Sequence, residues 1–385
     1  VTISLRTLFA IFLSSVLFTC NLLIICVLIH YSNKKNKRYI YKCVNILHII
    51  GGSEGNMIRK FGEIEGNIVH LYEIENEHYA IGMLDYGATL VYWTSKQAKQ
   101  NIVLGFDHFD SYIDNAANLG ATVGRVCNRI GNGEYTLNNV TYHLDKNDKG
   151  NTLHGGSCGF AHRMYSGKIE DNSIIFTFDS PNGEGGFNGN IHFEAKYTLE
   201  ETGLRFTSTV CSDEDTIFCP TNHAYFNLSG EETILNHMLQ IDSEEFVAID
   251  QNGLAQDETY SVEYTPFDFR NPKLVGENIR EPYDQLIKGS GYDHHFIIEG
   301  EGMRHFATLS RNNLELNVYS TMPGFQLYSG NFLSEPFVPN GGICIETQYV
   351  PNAINGDSFD KPIIYKDKEQ VYETFYELKV VPNND

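Results

Sequence analysis

The sequence predicts an all-β fold, a large antiparallel β-sandwich, over residues 57–385. After Met57 the apolar residues recur with a period of two, not the helical 3.6. Gly, Asn and Asp break these runs at short intervals, and no segment there sustains an i, i+3, i+4, i+7 apolar stripe.

The elements follow in chain order. Asn67–Ile74, NIVHLYEI, reads as a strand, as does Ser173–Asp179, SIIFTFD. Ile191–Leu199, IHFEAKYTL, alternates most clearly. Successive side chains of an extended chain point to opposite faces, so Ile191, Phe193, Ala195, Tyr197 and Leu199 share one. Glu201–Gly203 turns the chain, and Leu204 and Phe206 resume the alternation, which is a hairpin signature. Leu314–Ser320, LELNVYS, comes after the turn pair Asn312-Asn313. Many short strands with turn signals fit a sandwich or barrel. No fixed-period repeat and no Pro- or Ser-rich linker divides residues 57–385, so they are expected to form one domain with broad sheets and long loops.

Residues 1–56 do not match this pattern. Leu8–Ile29 is uncharged, mostly apolar and long enough to span a bilayer, and the basic NKKNKR follows at Asn33–Arg38. A membrane anchor or an uncleaved signal fits that pattern, and either would leave the bulk of the protein in the cytoplasm. The alternative is that translation starts at Met57, the first Met, so that 1–56 are upstream sequence; a membrane then plays no part.

The chain carries a net charge of −21, which argues against a nucleic-acid partner, because phosphate binding needs a basic face. Beyond residue 56 the cysteines are Cys127, Cys158, Cys211, Cys219 and Cys344, with no CxxC pair, so reduced thiols are expected rather than a disulfide framework or zinc ribbon. Asn139 and Asn227 head glycosylation-type tripeptides of a kind that chance also produces. There is no GxxxxGK[ST], no strand-to-helix GxGxxG and no GxSxG.

The informative polar residues cluster elsewhere. GATVGRVCNRIGNGEYTL, Gly120–Leu137, holds Arg125 and Arg129 four apart, with Asn128 beside the second; each guanidinium reads as a fork for hydroxyls or as a loop ion pair. NTLHGGSCGFAHR, Asn151–Arg163, puts two glycines after His154, where the backbone can turn sharply. CPTNHAYFNLSG, Cys219–Gly230, sets His223 among apolar neighbours, and it reads either as a core histidine or as a catalyst. In GYDHHF, Gly291–Phe296, adjacent His294 and His295 point to opposite strand faces and would not chelate together, so no metal is expected. Asp293 there suits a hydroxyl acceptor. MPGFQLYSGNFL places Gln326 after a Pro-Gly turn. GGICIETQYVPNAIN, Gly341–Asn355, puts Glu346 on the strand face opposite Ile343 and Ile345, where burying a carboxylate is costly without a purpose. The set lacks a Ser or Cys nucleophile with its own base and suits proton transfer on a neutral, hydroxyl-rich ligand.

Six of these stretches, in order and with fitting spacing, resemble the aldose 1-epimerase (galactose mutarotase) family: GRVCNRIGNGEYTLNNVTYHL, NTLHGGSCGF, PTNHAYFNLSG, YDHHF, PGFQLYSGNF and CIETQYVPNAIN. The similarity covers about 120 to 355 strongly and runs more weakly from Met57 to the C-terminus. It implies a galactose mutarotase-like β-sandwich and cofactor-free interconversion of α and β aldohexose anomers. It implies Glu346 as general base and His223 as general acid. Asn128, Arg129, His154, Asp293 and Gln326 resemble the sugar-binding positions. His295 stands where the family commonly has Asn, and its side chain is expected to face away from that of Asp293.

The chemistry asks for these residue types. Ring opening removes a proton from the anomeric hydroxyl and adds one to the ring oxygen, so two groups in opposite protonation states are needed. A His near about 6.5 and a carboxylate near about 4.3 would hold those states together. Other readings are a hexose-6-phosphate epimerase, a glycosidase using Glu346 and Asp293, and a non-catalytic sugar-binding protein. A small aldose is the expected partner and a monomer or weak dimer the expected state.

Overall fold

Ile191–Glu200 and Gly203–Ser212 pair antiparallel without a break from Ile191↔Ser212 to Glu200↔Gly203. Ile191, Phe193, Ala195, Tyr197 and Leu199 are all buried, while the residues between them are less so. Across the hairpin Tyr197 stacks on Phe206 with ring centroids 4.7 Å apart. Such a pair adds about 0.5–1.5 kcal/mol beyond simple area burial.

The computed structural model describes residues 56–382. The apolar segment 8–29 and the proposed start at Met57 concern residues 1–56, nearly all outside the described range. Among the described residues no helix is long and apolar enough to cross a membrane.

The hairpin lies within a nine-stranded sheet. Its order is Ser166–Glu170, Ser173–Ser180, Ile191–Glu200, Gly203–Ser212, Gln370–Val380, Leu314–Ser320, Arg304–Arg311, Met238–Ile241 and Lys273–Leu274. A second, five-stranded sheet runs Ala255–Ser261, Glu245–Ile249, Asp293–Ile297, Gly324–Tyr328 and Cys344–Gln348. All neighbours in both are antiparallel. The two sheets meet face to face: Phe325 packs on Phe306 at 5.9 Å, and the hydroxyls of Thr347 and Thr374 lie 2.5 Å apart. Another five-stranded meander is built from Met57–Ile64, Asn67–Glu75, Tyr79–Leu84, Thr89–Ser95 and Gln100–Asn101. Only two short α-helices, Asp110–Ile113 and Asp284–Gly289, interrupt the described strands. The sandwich expected from the period-two pattern is therefore the observed architecture.

Candidate active site

Three strands of the five-stranded sheet set the floor of the site. Their register aligns His295, Gln326 and Glu346 in one row, and Asp293, Tyr328 and Cys344 in the next. Directly opposed residues share a sheet face. One face of these strands is thus polar, and the other sends Phe296, Phe325 and Thr347 into the core. His294 belongs to the core face, 4.6 Å from the ring of Phe267. His295 does not face away from Asp293, contrary to the sequence expectation. They are two positions apart, with His294 alone between them, so the pleat puts them on the same side. There is room for the imidazole because residue 324 is Gly: a Cβ there would lie 2.4 Å from His295 Nε2.

Loops close over that face. Thr221–Asn222 pairs with Thr122–Val123, and the next residue, His223, is fixed on both sides. Its N–H donates to Ala121 O (2.8 Å) and its carbonyl accepts from Gly120 N–H (3.0 Å). As a whole residue His223 is 5% exposed. Its Nε2 stands 3.6 Å from Glu346 Oε1, and its Nδ1 lies 3.5 Å from Cys344 Sγ. Tyr225 and Tyr328 wall it at 5.1 and 6.4 Å between ring centroids.

His154 meets His223 edge-on at 5.3 Å. It ends the strand Thr152–Leu153, which pairs with Arg129–Ile130, and its φ is +52°. Gly155 follows with φ +88°, and a Cβ there would lie 2.0 Å from Gly124 O, so this sharp turn requires Gly. The backbone N–H of Asn128 donates to His154 Nδ1 at 3.1 Å. Because a backbone N–H can only donate, neutral His154 carries its proton on Nε2 and is a hydrogen-bond donor.

Asn128, also left-handed at φ +56°, accepts from Arg129 N–H at 2.8 Å through its side-chain oxygen. Arg129 donates through Nε to Asp148 (2.7 Å) and through Nη1 to Gly253 O (3.3 Å). Gln326 Nε2 donates to Asp293 Oδ1 at 2.7 Å. All seven sequence-predicted site residues therefore fall in one neighbourhood. Arg125 does not join them: its guanidinium is buried and donates to the carbonyls of Asn188, Gly189 and Ser180.

Burial governs the electrostatics. It lowers His223 to about 4 and holds His154 well below the usual imidazole range, with the charges of His223 and Arg129 adding to the latter shift. Burial pushes Glu346 well above the usual carboxylate range; Asp293 adds to the push and Arg129 opposes it. Burial raises Asp293 too, against Arg129 and the Gln326 hydrogen bond. Both shifts run away from the ordinary values of about 6.5 and about 4.3 on which the sequence reading rests. Taken out of water, both groups prefer their neutral forms. Both shifts favour one proton on the pair, held by Glu346 rather than by His223.

His223, Cys344 and Glu346 also offer one nitrogen, sulfur and oxygen within 4.8 Å of one another, a donor set that zinc accepts. The imidazole turns Nδ1 to the thiol and Nε2 to the carboxylate, so each ring nitrogen faces one of them. The five described cysteines beyond residue 56 are all free. Cys344, Tyr225 and Asp148 were not singled out in the sequence. For Cys344 the signal was available, since it shares a strand face with Glu346.

A broad antiparallel sandwich that buries a carboxylate against an imidazole, with hydrogen-bond donors around them, is an enzyme scaffold for proton transfer. The chain belongs to the aldose 1-epimerase family, whose model matches residues 70–376, and it is an isomerase. It is 30% identical over 338 residues to galactose mutarotase of Bos taurus, covering 83% of this chain and 97% of that protein. It is 32% identical over 323 residues to aldose 1-epimerase of Escherichia coli K12, covering 80% of this chain and 93% of that protein. Among solved structures, galactose 1-epimerase of Lactobacillus acidophilus superposes with a TM-score of 0.79 at 27% identity, covering 86% of this chain and all (100%) of that one.

Proposed function

We propose that residues 57–385 form the catalytic domain of an enzyme that interconverts the α and β anomers of aldohexoses such as galactose and glucose. Glu346 is the base, His223 the acid, and Asn128, Arg129, His154, Asp293 and Gln326 hold the sugar hydroxyls. The observation that supports this most is the 3.6 Å approach of His223 Nε2 to Glu346 Oε1, both buried, with shifts that favour one proton on the pair.

Opening starts when that proton moves from Glu346 to His223. The carboxylate then takes the anomeric hydroxyl proton while the imidazolium protonates the ring oxygen. The C1–O bond breaks, an open aldehyde forms, and the pair is back in its resting proton state. After rotation about C1–C2, the chain hydroxyl attacks the other face of the aldehyde. His223 takes the hydroxyl proton and Glu346 returns its own to the new anomeric oxygen. Each transfer contributes about 10²- to 10⁴-fold. The scheme calls on no cofactor or metal.

A hexose 6-phosphate is less well served. The guanidinium at the site, Arg129, is already paired with Asp148, and the carboxylates of Asp293 and Glu346 stand nearby. A single chain supplies every residue in the scheme, so a monomer suffices, and a cytoplasmic location agrees with the free thiols. The test is polarimetry: fresh α-galactose and α-glucose should reach equilibrium rotation far faster with the protein than without it. An unchanged approach to equilibrium for both sugars would refute the proposal.

A further inference from the structure

Two buried thiols meet where three stretches of the site come together. Cys127 and Cys219 are each 2% exposed, and their sulfurs lie 3.5 Å apart, the one pair of sulfurs in contact among the described cysteines. The backbone holds them side by side. Val126 and Cys219 form a parallel bridge, Cys127 N–H donates to Cys219 O at 2.7 Å, and Cys219 N–H donates to Arg125 O at 2.9 Å. Both residues line a cavity of ≈ 10 Å³, about the room of one water molecule, so the sulfurs have space to turn. A disulfide needs an S–S distance of about 2.05 Å, within reach of a small rotation of each side chain. Cys127 directly precedes Asn128 and Arg129, and Cys219 lies four residues before His223. Tyr349, three residues after Glu346, donates its N–H to Cys219 Sγ at 3.3 Å.

We infer that Cys127 and Cys219 are a redox pair, a dithiol that closes to a disulfide under a hydroperoxide and disturbs the sugar site as it closes. With hydrogen peroxide, one sulfur attacks a peroxide oxygen as its thiolate. An S–O bond forms, the O–O bond breaks, and the departing hydroxide leaves as water with the thiol proton. The other sulfur attacks this sulfenic acid, the S–S bond forms, and a second water leaves with the second thiol proton. The sulfurs give up two electrons and the peroxide takes them, so two thiols and one peroxide become one disulfide and two waters. Burial, with Cys219 and Glu346 adding to it, holds the Cys127 thiol well above its ordinary value, so Cys127 rests protonated. Closing turns Cys219 Sγ away from the Tyr349 N–H and shifts the backbone of Asn128, whose N–H orients His154.

The effect on turnover rests on the anomer-interconversion reading, whereas the link itself is read without turnover. The full chain is reduced with dithiothreitol or treated with hydrogen peroxide, and its free thiols are then blocked with iodoacetamide. Tandem mass spectrometry should show Cys127 linked to Cys219 after peroxide, and the link should be gone after reduction. In polarimetry on α-galactose the oxidised protein should lose about tenfold in kcat/KM, since a misplacement of about 1 Å can cost about 10²-fold, and dithiothreitol should restore it. Cys127→Ala and Cys219→Ala should each stay close to wild-type activity, and neither should show the reversible loss. Cys127 and Cys219 found separately blocked after peroxide would overturn the pairing, whatever the activity. A linked protein with unchanged kcat/KM, or a reversible loss that persists in both alanine variants, would overturn the effect on the site. A fully reduced protein that does not speed mutarotation refutes the proposed function instead, and the link mapping still decides the pairing.

Discussion

His223 Nε2 and Glu346 Oε1 lie 3.6 Å apart, with their side chains 7% and 3% exposed. That separation is longer than a strong hydrogen bond and short enough to pass a proton with a small motion. A proton held there is protected from bulk water until a ligand arrives.

The pair works while it holds one proton, so turnover should fall at both ends of the pH range. A second proton is gained as pH falls toward the His223 value of about 4. The last is lost as pH rises through the elevated Glu346 value, which Asp293 helps to raise. Asp293→Asn removes that neighbouring charge, lowers Glu346 and should move the alkaline limb to lower pH. A pH series of kcat by polarimetry on both proteins checks this, and an alkaline limb that stays in place would count against it.

His223→Asn keeps a polar side chain but cannot cycle a proton. Turnover should fall by about 10²- to 10⁴-fold, while the sugar dissociation constant moves by less than about tenfold. Arg129→Ala should differ, because its fork acts on the bound sugar throughout and its loss should raise KM as well. Calorimetric titration with galactose beside polarimetric rates measures both quantities. Lost binding with unchanged turnover per bound sugar would make His223 a binding residue only.

His295 is 1% exposed, and neither ring nitrogen has a hydrogen-bond partner among the described residues. Burial drops it to about 3, below its ordinary value, so its stabilising effect is complete above about 6.5 and is lost as pH falls toward 3. His295→Asn should therefore flatten the acid-side loss of stability by up to about one proton, or ~1.4 kcal/mol per pH unit. Denaturant midpoints at neutral and mildly acid pH measure this; parallel pH dependences in the two proteins would contradict it.

The strands with strict alternation were legible in the sequence. Ile191–Leu199 and Leu204–Phe206 form the predicted hairpin because pattern and turn lie within one short stretch. Glu346 and His223 were each ambiguous alone, and only the ordered set of motifs singled them out. The side chain of His295 was placed wrongly although the same alternation rule fixes its side, since residues 293 and 295 share a face. The proton state of the pair was not legible, because it depends on burial by segments distant in sequence.

The most direct test of the central claim is the polarimetric rate of Glu346→Gln on fresh α-galactose, beside wild type and with folding checked by circular dichroism. Gln keeps the shape and removes the proton acceptor. The account predicts a folded protein whose turnover is lower by about 10²-fold or more. A folded Glu346→Gln enzyme within a few-fold of wild type would remove Glu346 from the chemistry and contradict the account.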